Sequence, residues 1–301
     1  MPNNTFHTPI LFLIFNRPDT TEKVFEIIRK IKPEKLFVSA DGPRANKPGE
    51  KEKCEATRKI IEQVDWDCKV YKNFSDENLG CKKGVVKGIN WFFENVEEGI
   101  IIEDDCILED SFFTFAREML GKYRHDERIM HIGAANFQDG KKRGEESYYF
   151  SKFCHVWGWA TWRRAWQHYD VQIKSFGEFK SEGRIKNILP DKKMQQHWLK
   201  LFRTVYDNRL DTWDFQWVYT VWEQKGLSII PNVNLVSNIG FGEEATHTKD
   251  SAHVLAENVH GKLSEIIHPK EVAQNTEADR YTFYHKIYRS KWKKIKSRIF
   301  R

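Results

Sequence analysis

The chain has little cysteine and does not pair what it has. Five cysteines (Cys54, Cys68, Cys81, Cys106, Cys154) are scattered through 301 residues, odd in number and with no CxxC among them. That pattern indicates neither a disulfide framework nor a zinc site, and a reducing compartment is expected. Long apolar runs are missing too. No stretch approaches the ~20 residues that crossing a bilayer requires. The first apolar run, Ile10 to Phe15, is too short for a signal peptide and follows Met-Pro-Asn-Asn, which has no basic region. The expected location is the cytoplasm. Internal repeats and low-complexity linkers are absent, so a domain over residues 1–260 is expected, with 261–301 as a C-terminal extension. Acid is missing from the end of the chain: residues 281–301 hold eight Lys/Arg and no Asp/Glu. The net charge of +6 therefore belongs to that tail, because the other 280 residues sum to −2.

Aromatics are plentiful at 14% of residues. Such rings build cores and also line sugar and base sites by stacking. The most telling stretch is Gly99-Ile100-Ile101-Ile102-Glu103-Asp104-Asp105-Cys106, an apolar run of buried-strand length that enters three consecutive carboxylates. Like charges at that spacing repel and resist desolvation. Either the triplet is a solvated turn ahead of a helix opened by Asp110, or a cation sits against it. Hard carboxylate oxygens suit Mg²⁺ or Mn²⁺.

The surrounding pattern is regular. Ile10 to Phe15 reads as a buried strand, followed by a helix with Val24, Ile27, Ile28 and Ile31 at helical spacing. Leu36 to Ala40 reads as a second strand, closed by the turn Asp41-Gly42-Pro43-Arg44. A polar helix near 50–64 precedes a strand at Cys68 to Tyr71. A helix carrying Val85, Ile89, Phe92, Phe93 and Val96 precedes the strand that ends at Glu103. This alternation predicts an α/β fold with a mostly parallel sheet and helices on both faces. Ligands in such sheets bind beyond the carboxyl ends of the strands, where Asn16, Arg17, Asp41 and Glu103 to Asp105 all fall. After about residue 134 the rhythm breaks into a polar loop (139–146), the Trp-rich segment Trp157 to Trp166, a helix with Trp213, Trp217 and Trp222, and a strand over Leu227 to Pro231.

The run Ile101-Ile102-Glu103-Asp104-Asp105-Cys106-Ile107-Leu108-Glu109-Asp110 resembles the metal motif of nucleotide-sugar glycosyltransferases with the GT-A fold. It is most similar to the N-acetylglucosaminyltransferase I type and to related bacterial sugar transferases. Phe15-Asn16-Arg17, Asp41, Trp213-Asp214, Pro231-Asn232-Val233, Gly240-Phe241-Gly242 and Thr246-His247 follow that family's landmarks in order, over roughly residues 9–248.

The resemblance implies a single GT-A-type domain and a metal-dependent, inverting transfer from a UDP-sugar to a glycan or lipid-linked acceptor in bacterial surface-polysaccharide synthesis. It puts Asp105 on a Mn²⁺ or Mg²⁺ ion, with His247 within reach of it. Glu103 and Asp104 meet the ribose or donor sugar, Asp41 the uracil base, and Asn16, Arg17 and Lys83 the nucleotide and diphosphate. Asp214 is the base, with Asp211 as fallback because Phe215 stands where the family has a second acid. Trp157 and Trp159, flanking Gly158, are the candidate sugar platform.

Two alternatives share some of these features. A Mg²⁺-dependent nucleotidyltransferase should show a Gly-rich basic loop after the first strand, and Asn16-Arg17-Pro18-Asp19 is not one. A non-enzymatic glycan- or nucleic-acid-binding module would use the tail and the tryptophans; nucleic acid is not expected as a partner. In the tail, Tyr284, Tyr288, Trp292, Ile295 and Ile299 recur at helical spacing among basic residues. A basic amphipathic helix there suits an anionic membrane surface, which would place the protein peripherally on the inner face of the membrane. Packing back on its own domain is the other reading.

Overall fold

The computed structural model describes residues 6–240 and 261–288. His247 and the tail residues Trp292, Ile295 and Ile299 lie outside the described residues. Among the described residues, the first half holds five strands and four α-helices. They run β1 (Ile10–Ile14), α1 (Pro18–Ile31), β2 (Lys35–Ala40), α2 (Glu50–Lys59), β3 (Lys69–Phe74), α3 (Gly80–Asn95), β4 (Glu98–Glu103), β5 (Cys106–Leu108) and α4 (Asp110–Lys122). The second half adds β6 (Ile129–Gly133), β7 (Tyr148–Ser151), β8 (Trp159–Trp162), α5 (Arg163–Trp166), α6 (Phe176–Ser181), α7 (Lys192–Tyr206), α8 (Asp214–Glu223), β9 (Leu227–Pro231), β10 (Val236–Asn238) and α9 (Thr276–Thr282).

Eight strands form one sheet in the order β3-β2-β1-β4-β8-β6-β9-β7. Its first four strands are parallel, as the strand–helix alternation requires. Beyond β4 the sheet is mixed: β8 runs antiparallel to both β4 and β6, β6 and β9 are parallel, and β7 is antiparallel to β9. The expected α/β class with a mostly parallel central sheet is what the chain adopts.

Strand alternation divides the core into two layers. Ile10, Phe12, Ile14, Leu36, Val38, Ile100 and Ile102 pack with Val24, Phe25 and Ile28 of α1 and with Phe112, Phe113 and Ala116 of α4. Leu11, Leu13, Phe37 and Ile101 point the other way, onto Ile89, Phe92 and Phe93 of α3 and the tryptophans of α8. Strands buried on both faces read as continuous apolar runs for this reason. Phe283 belongs to the second layer, and Leu263, Ile266 and Val272 pack against the first. The described part of the C-terminal extension therefore shares the core of the rest of the chain.

A two-stranded antiparallel sheet of β5 and β10 lies just past the end of β4, with Asn238 opposite Cys106. It brings the segment after β10 onto the carboxylate triplet.

Candidate active site

A cavity of about 470 Å³ opens at the carboxyl ends of β1, β2 and β4. Arg17, Asp41, Arg44, Glu103, Asp104, Asp105, Trp157 and Asp211 are among its lining residues. Strand ends do converge here, and the positive group that the structure sets against the triplet is the Arg17 guanidinium, where the sequence reading put a divalent ion.

Arg17 follows β1 and opens α1. Its guanidinium bridges the two aspartates, pairing through Nη2 with Asp104 Oδ1 and through Nη1 with Asp105 Oδ2 at 3.0 Å. Asp104 Oδ2 accepts the backbone N–H of Phe15 at 3.1 Å. Asp105 Oδ1 accepts from Asn238 Nδ2 at 3.3 Å and from the Cys106 thiol at 3.4 Å. The Asp105 carbonyl takes the Ile239 N–H at 2.8 Å, and Gly240 lies directly over the pair. A Cβ at Gly240 would fall 2.0 Å from Asp105 Oδ2 and 2.7 Å from Arg17 Nη1, so any larger residue there must displace the pair. Burial, with the Asp105 and Asp104 charges adding to it, raises Glu103 well above the ordinary carboxylate range. Burial also raises Asp104, against the pull of Arg17.

Asp41 stands at the end of β2. Its carboxylate accepts the N–H groups of Gly42 (2.9 Å), Leu79 (2.8 Å) and Gly80 (3.0 Å) and the Asn78 amide (3.0 Å). An acid at a helix N-terminus is favoured by the helix dipole, and here it ties β2 to the start of α3. Burial raises its pKa, and those backbone donors pull it back. The side chain lines the cavity with its acceptors already engaged.

Asn16 donates to Glu50 Oε1 at 2.9 Å instead of turning toward the cavity. Glu50 is buried and clamped by Arg44, through Nη2 and through Nε at 2.9 Å, with the Arg44 N–H adding a contact at 2.7 Å. The Arg44 hydrogen bonds hold Glu50 down at about 2. Arg44 is thereby fixed as a second cation in the cavity wall, its guanidinium over the Phe15 ring at 5.5 Å. Sequence reasoning passed over Arg44 and Glu50. The only signal was an Arg within a strand-end turn.

Asp214 opens α8 and does not line the cavity; its Oδ1 takes the Thr212 hydroxyl. Asp211, the fallback, does line it, with Oδ2 3.4 Å from where a Cβ on Gly80 would stand. Both acids lie near Cys81, whose thiol is pushed up to about 12 by burial first and then by Glu103, Asp214 and Asp211. Lys83 is exposed on α3 and outside the cavity lining, so the structure does not bring it to the site.

Of the paired tryptophans, Trp157 lines the cavity and Trp159 does not. Trp159 is 0% exposed, stacked on His131 at 5.2 Å and on Trp213 at 5.8 Å. Its position in β8, between β4 and β6, buries both faces and removes it as a sugar platform.

The donor set fits a hard divalent cation in kind: two carboxylates at a strand end that already hold a positive group. The fit stops there, since among the described residues no group of three His, Cys, Asp or Glu is arranged to hold a metal ion. His247 lies outside those residues.

No family profile matches the chain, and no curated protein matches it. Among solved structures it is similar to HddC from Yersinia pseudotuberculosis, at 11% identity over 52% of this chain and 77% of that one, with a TM-score of 0.33. It is similar to mouse xyloside xylosyltransferase 1 at 9% identity, over 72% and 81%, TM-score 0.36. An apo UDP-glucose pyrophosphorylase aligns at 11% identity over 75% and 90%, TM-score 0.37. At these values the likeness says nothing about chemistry, and the fold rests on the strand order itself.

Proposed function

We propose that the chain is a glycosyltransferase that takes a sugar from a nucleotide-diphosphate donor, UDP-linked by preference, and passes it with inversion to a glycan or lipid-linked acceptor in bacterial surface-polysaccharide assembly. The observation that carries the reading is the meeting of Arg17, Arg44, the Glu103–Asp105 triplet and Asp211 in one cavity at the ends of parallel strands. A sugar nucleotide has a base, a diphosphate and a reactive anomeric carbon, and each needs a different wall. Arg17 and Arg44 meet the diphosphate, whose charge grows as it leaves. Asp41 holds the loop against which the base lies. Trp157 offers a ring face to a sugar.

In the transfer, the acceptor hydroxyl oxygen bonds to the anomeric carbon as the carbon–oxygen bond to the diphosphate breaks and its electron pair leaves with the phosphate. The hydroxyl proton goes to a carboxylate on the opposite side. We assign that role to Asp211, with Asp214 as the neighbouring alternative. A Mn²⁺ or Mg²⁺ ion held by Asp105, beside Asp104, would neutralise charge on the leaving diphosphate.

The test is calorimetric binding and donor hydrolysis across UDP-, GDP- and CMP-sugars, with and without Mn²⁺. A UDP-sugar should bind and be slowly hydrolysed. Asp211→Asn should keep donor binding while losing at least a hundredfold in turnover, as removal of a general base does. Absence of binding by every sugar nucleotide would overturn the proposal.

A further inference from the structure

We propose that Arg17 holds the place of the divalent ion, so that guanidinium and metal exclude one another on Asp105 and metal binding becomes conditional on a diphosphate. The proposal rests on the reading of the cavity as a sugar-nucleotide site. Each oxygen of the two aspartates already has a donor: Arg17 on Asp104 Oδ1 and Asp105 Oδ2, Phe15 N–H on Asp104 Oδ2, Asn238 and Cys106 on Asp105 Oδ1. Gly240 covers the pair closely enough to exclude a methyl group. A hard cation needs open carboxylate oxygens, and here it gains one only if the Arg17 fork lets go. Ion and guanidinium together on one carboxylate would repel across a short, poorly solvated distance.

The cavity wall also explains where Arg17 would go. Among the described residues of the lining, the basic side chains are Arg17 and Arg44 and the acidic ones are Asp41, Glu103, Asp104, Asp105 and Asp211. Arg44 is already bound to Glu50. An arriving diphosphate is therefore the anion that can take Arg17 from the aspartates, and a guanidinium suits phosphate as well as carboxylate. Once Arg17 turns to the phosphate, Asp105 is open to the ion. Ligand and metal then bind with positive coupling, each raising the affinity of the other by one factor. Alone, the site stays closed to metal, its acids neutralised from within.

The experiment is Mn²⁺ titration of the full chain by electron paramagnetic resonance, with and without UDP. Wild type should bind Mn²⁺ weakly alone and at least tenfold more tightly with UDP. Arg17→Ala should bind Mn²⁺ alone at least tenfold more tightly than wild type, lose the strengthening by UDP, and lose that binding again when Asp105→Asn is added. Arg17→Lys, a point charge that cannot bridge two carboxylates, should fall between and serves if Arg17→Ala does not fold. Equal or weaker Mn²⁺ binding by both Arg17 variants would overturn the proposal, as would tight Mn²⁺ binding by wild type alone. The arms without nucleotide decide the exclusion even if no sugar nucleotide binds, so failure of the assigned function is seen separately.

Discussion

Trp159 and Trp217 lie on the same buried histidine and differ in one hydrogen bond. His131 is wholly buried, and burial with the neighbouring His155 charge lowers it to about 3, so the ring is neutral. Its Nε2 donates to the His155 carbonyl at 3.2 Å, which leaves Nδ1 to accept the Trp217 indole N–H at 3.2 Å. The Trp159 N–H is buried without an acceptor among the described residues. Replacing either ring by phenylalanine removes a similar volume, but only Trp217→Phe strands a buried acceptor. Urea unfolding should show Trp217→Phe about 1 kcal/mol less stable than Trp159→Phe; equal costs, or the reverse order, would contradict this. The same neighbourhood shows where sequence reading stops at the residue scale. Glu103 to Asp105 announced themselves, because three acids at the end of an apolar strand demand a counter-charge; Arg17, 87 residues before Asp104, stood out as a strand-end residue expected at the nucleotide, and nothing in the sequence marked it as that counter-charge. Trp159 was misplaced because Trp157 to Trp162 holds three tryptophans with no charged residue and no polar–apolar alternation to separate core from cavity. Glu50 was invisible, one of several acids in a polar helix, since its partner Arg44 reaches it only when the 41–49 loop folds back.

At the scale of elements, the alternating units from β1 to β4 were legible because each buried strand and each amphipathic helix has its own period. The insertion of β8 between β4 and β6 was not, since a strand's sheet neighbours depend on pairings formed far apart in sequence. The docking of α9 is another such pairing, and it rests on a buried acid. Asp279 accepts from the Ser151 hydroxyl (2.5 Å) and Lys152 N–H (3.1 Å) around the end of β7, and from Gln274 (2.7 Å). Asn275 N–H also bonds the Phe150 carbonyl at 2.7 Å. Burial raises Asp279 to about 6 despite those donors, above the ~3.9 of an unfolded chain. The folded state therefore holds this proton more tightly. Its contribution to stability is full below about pH 4 and is lost as pH rises through about 6. Asp279→Asn lacks this proton, whatever it costs in hydrogen bonds. Between pH 4 and 7 the wild type should lose up to roughly 3 kcal/mol relative to the variant in paired urea titrations. A difference that stays constant with pH would show that the carboxyl does not titrate in the fold.

Across the whole molecule, charge is segregated, and the structure narrows which part of the basic tail is available. Tyr284 and Tyr288, the first two members of the expected amphipathic stripe, are spent on the domain. Tyr284 Oη donates to Asp191 Oδ2 at 2.7 Å, and Tyr288 stacks on Phe283 at 5.5 Å with Lys193 over its ring at 4.6 Å. Packing back on the domain is thus the observed arrangement as far as Tyr288. Any attraction to an anionic membrane falls to residues 289–301, which carry seven Lys/Arg, no acid, and Trp292. No helix among the described residues is long and apolar enough to cross a membrane. Each Lys or Arg near an anionic surface contributes about 1 kcal/mol, and the attraction weakens with salt. The full chain should co-sediment with phosphatidylserine-containing vesicles at low salt, release as salt is raised, and ignore purely zwitterionic vesicles. A chain ending at Tyr288 keeps Phe283 and its aromatic contacts, so its melting temperature and UDP-sugar binding should match the full chain while vesicle binding falls by about two orders of magnitude or more. Equal vesicle binding by the shortened chain would move the membrane-facing surface onto the domain itself, and a lowered melting temperature would show that residues 289–301 belong to its packing.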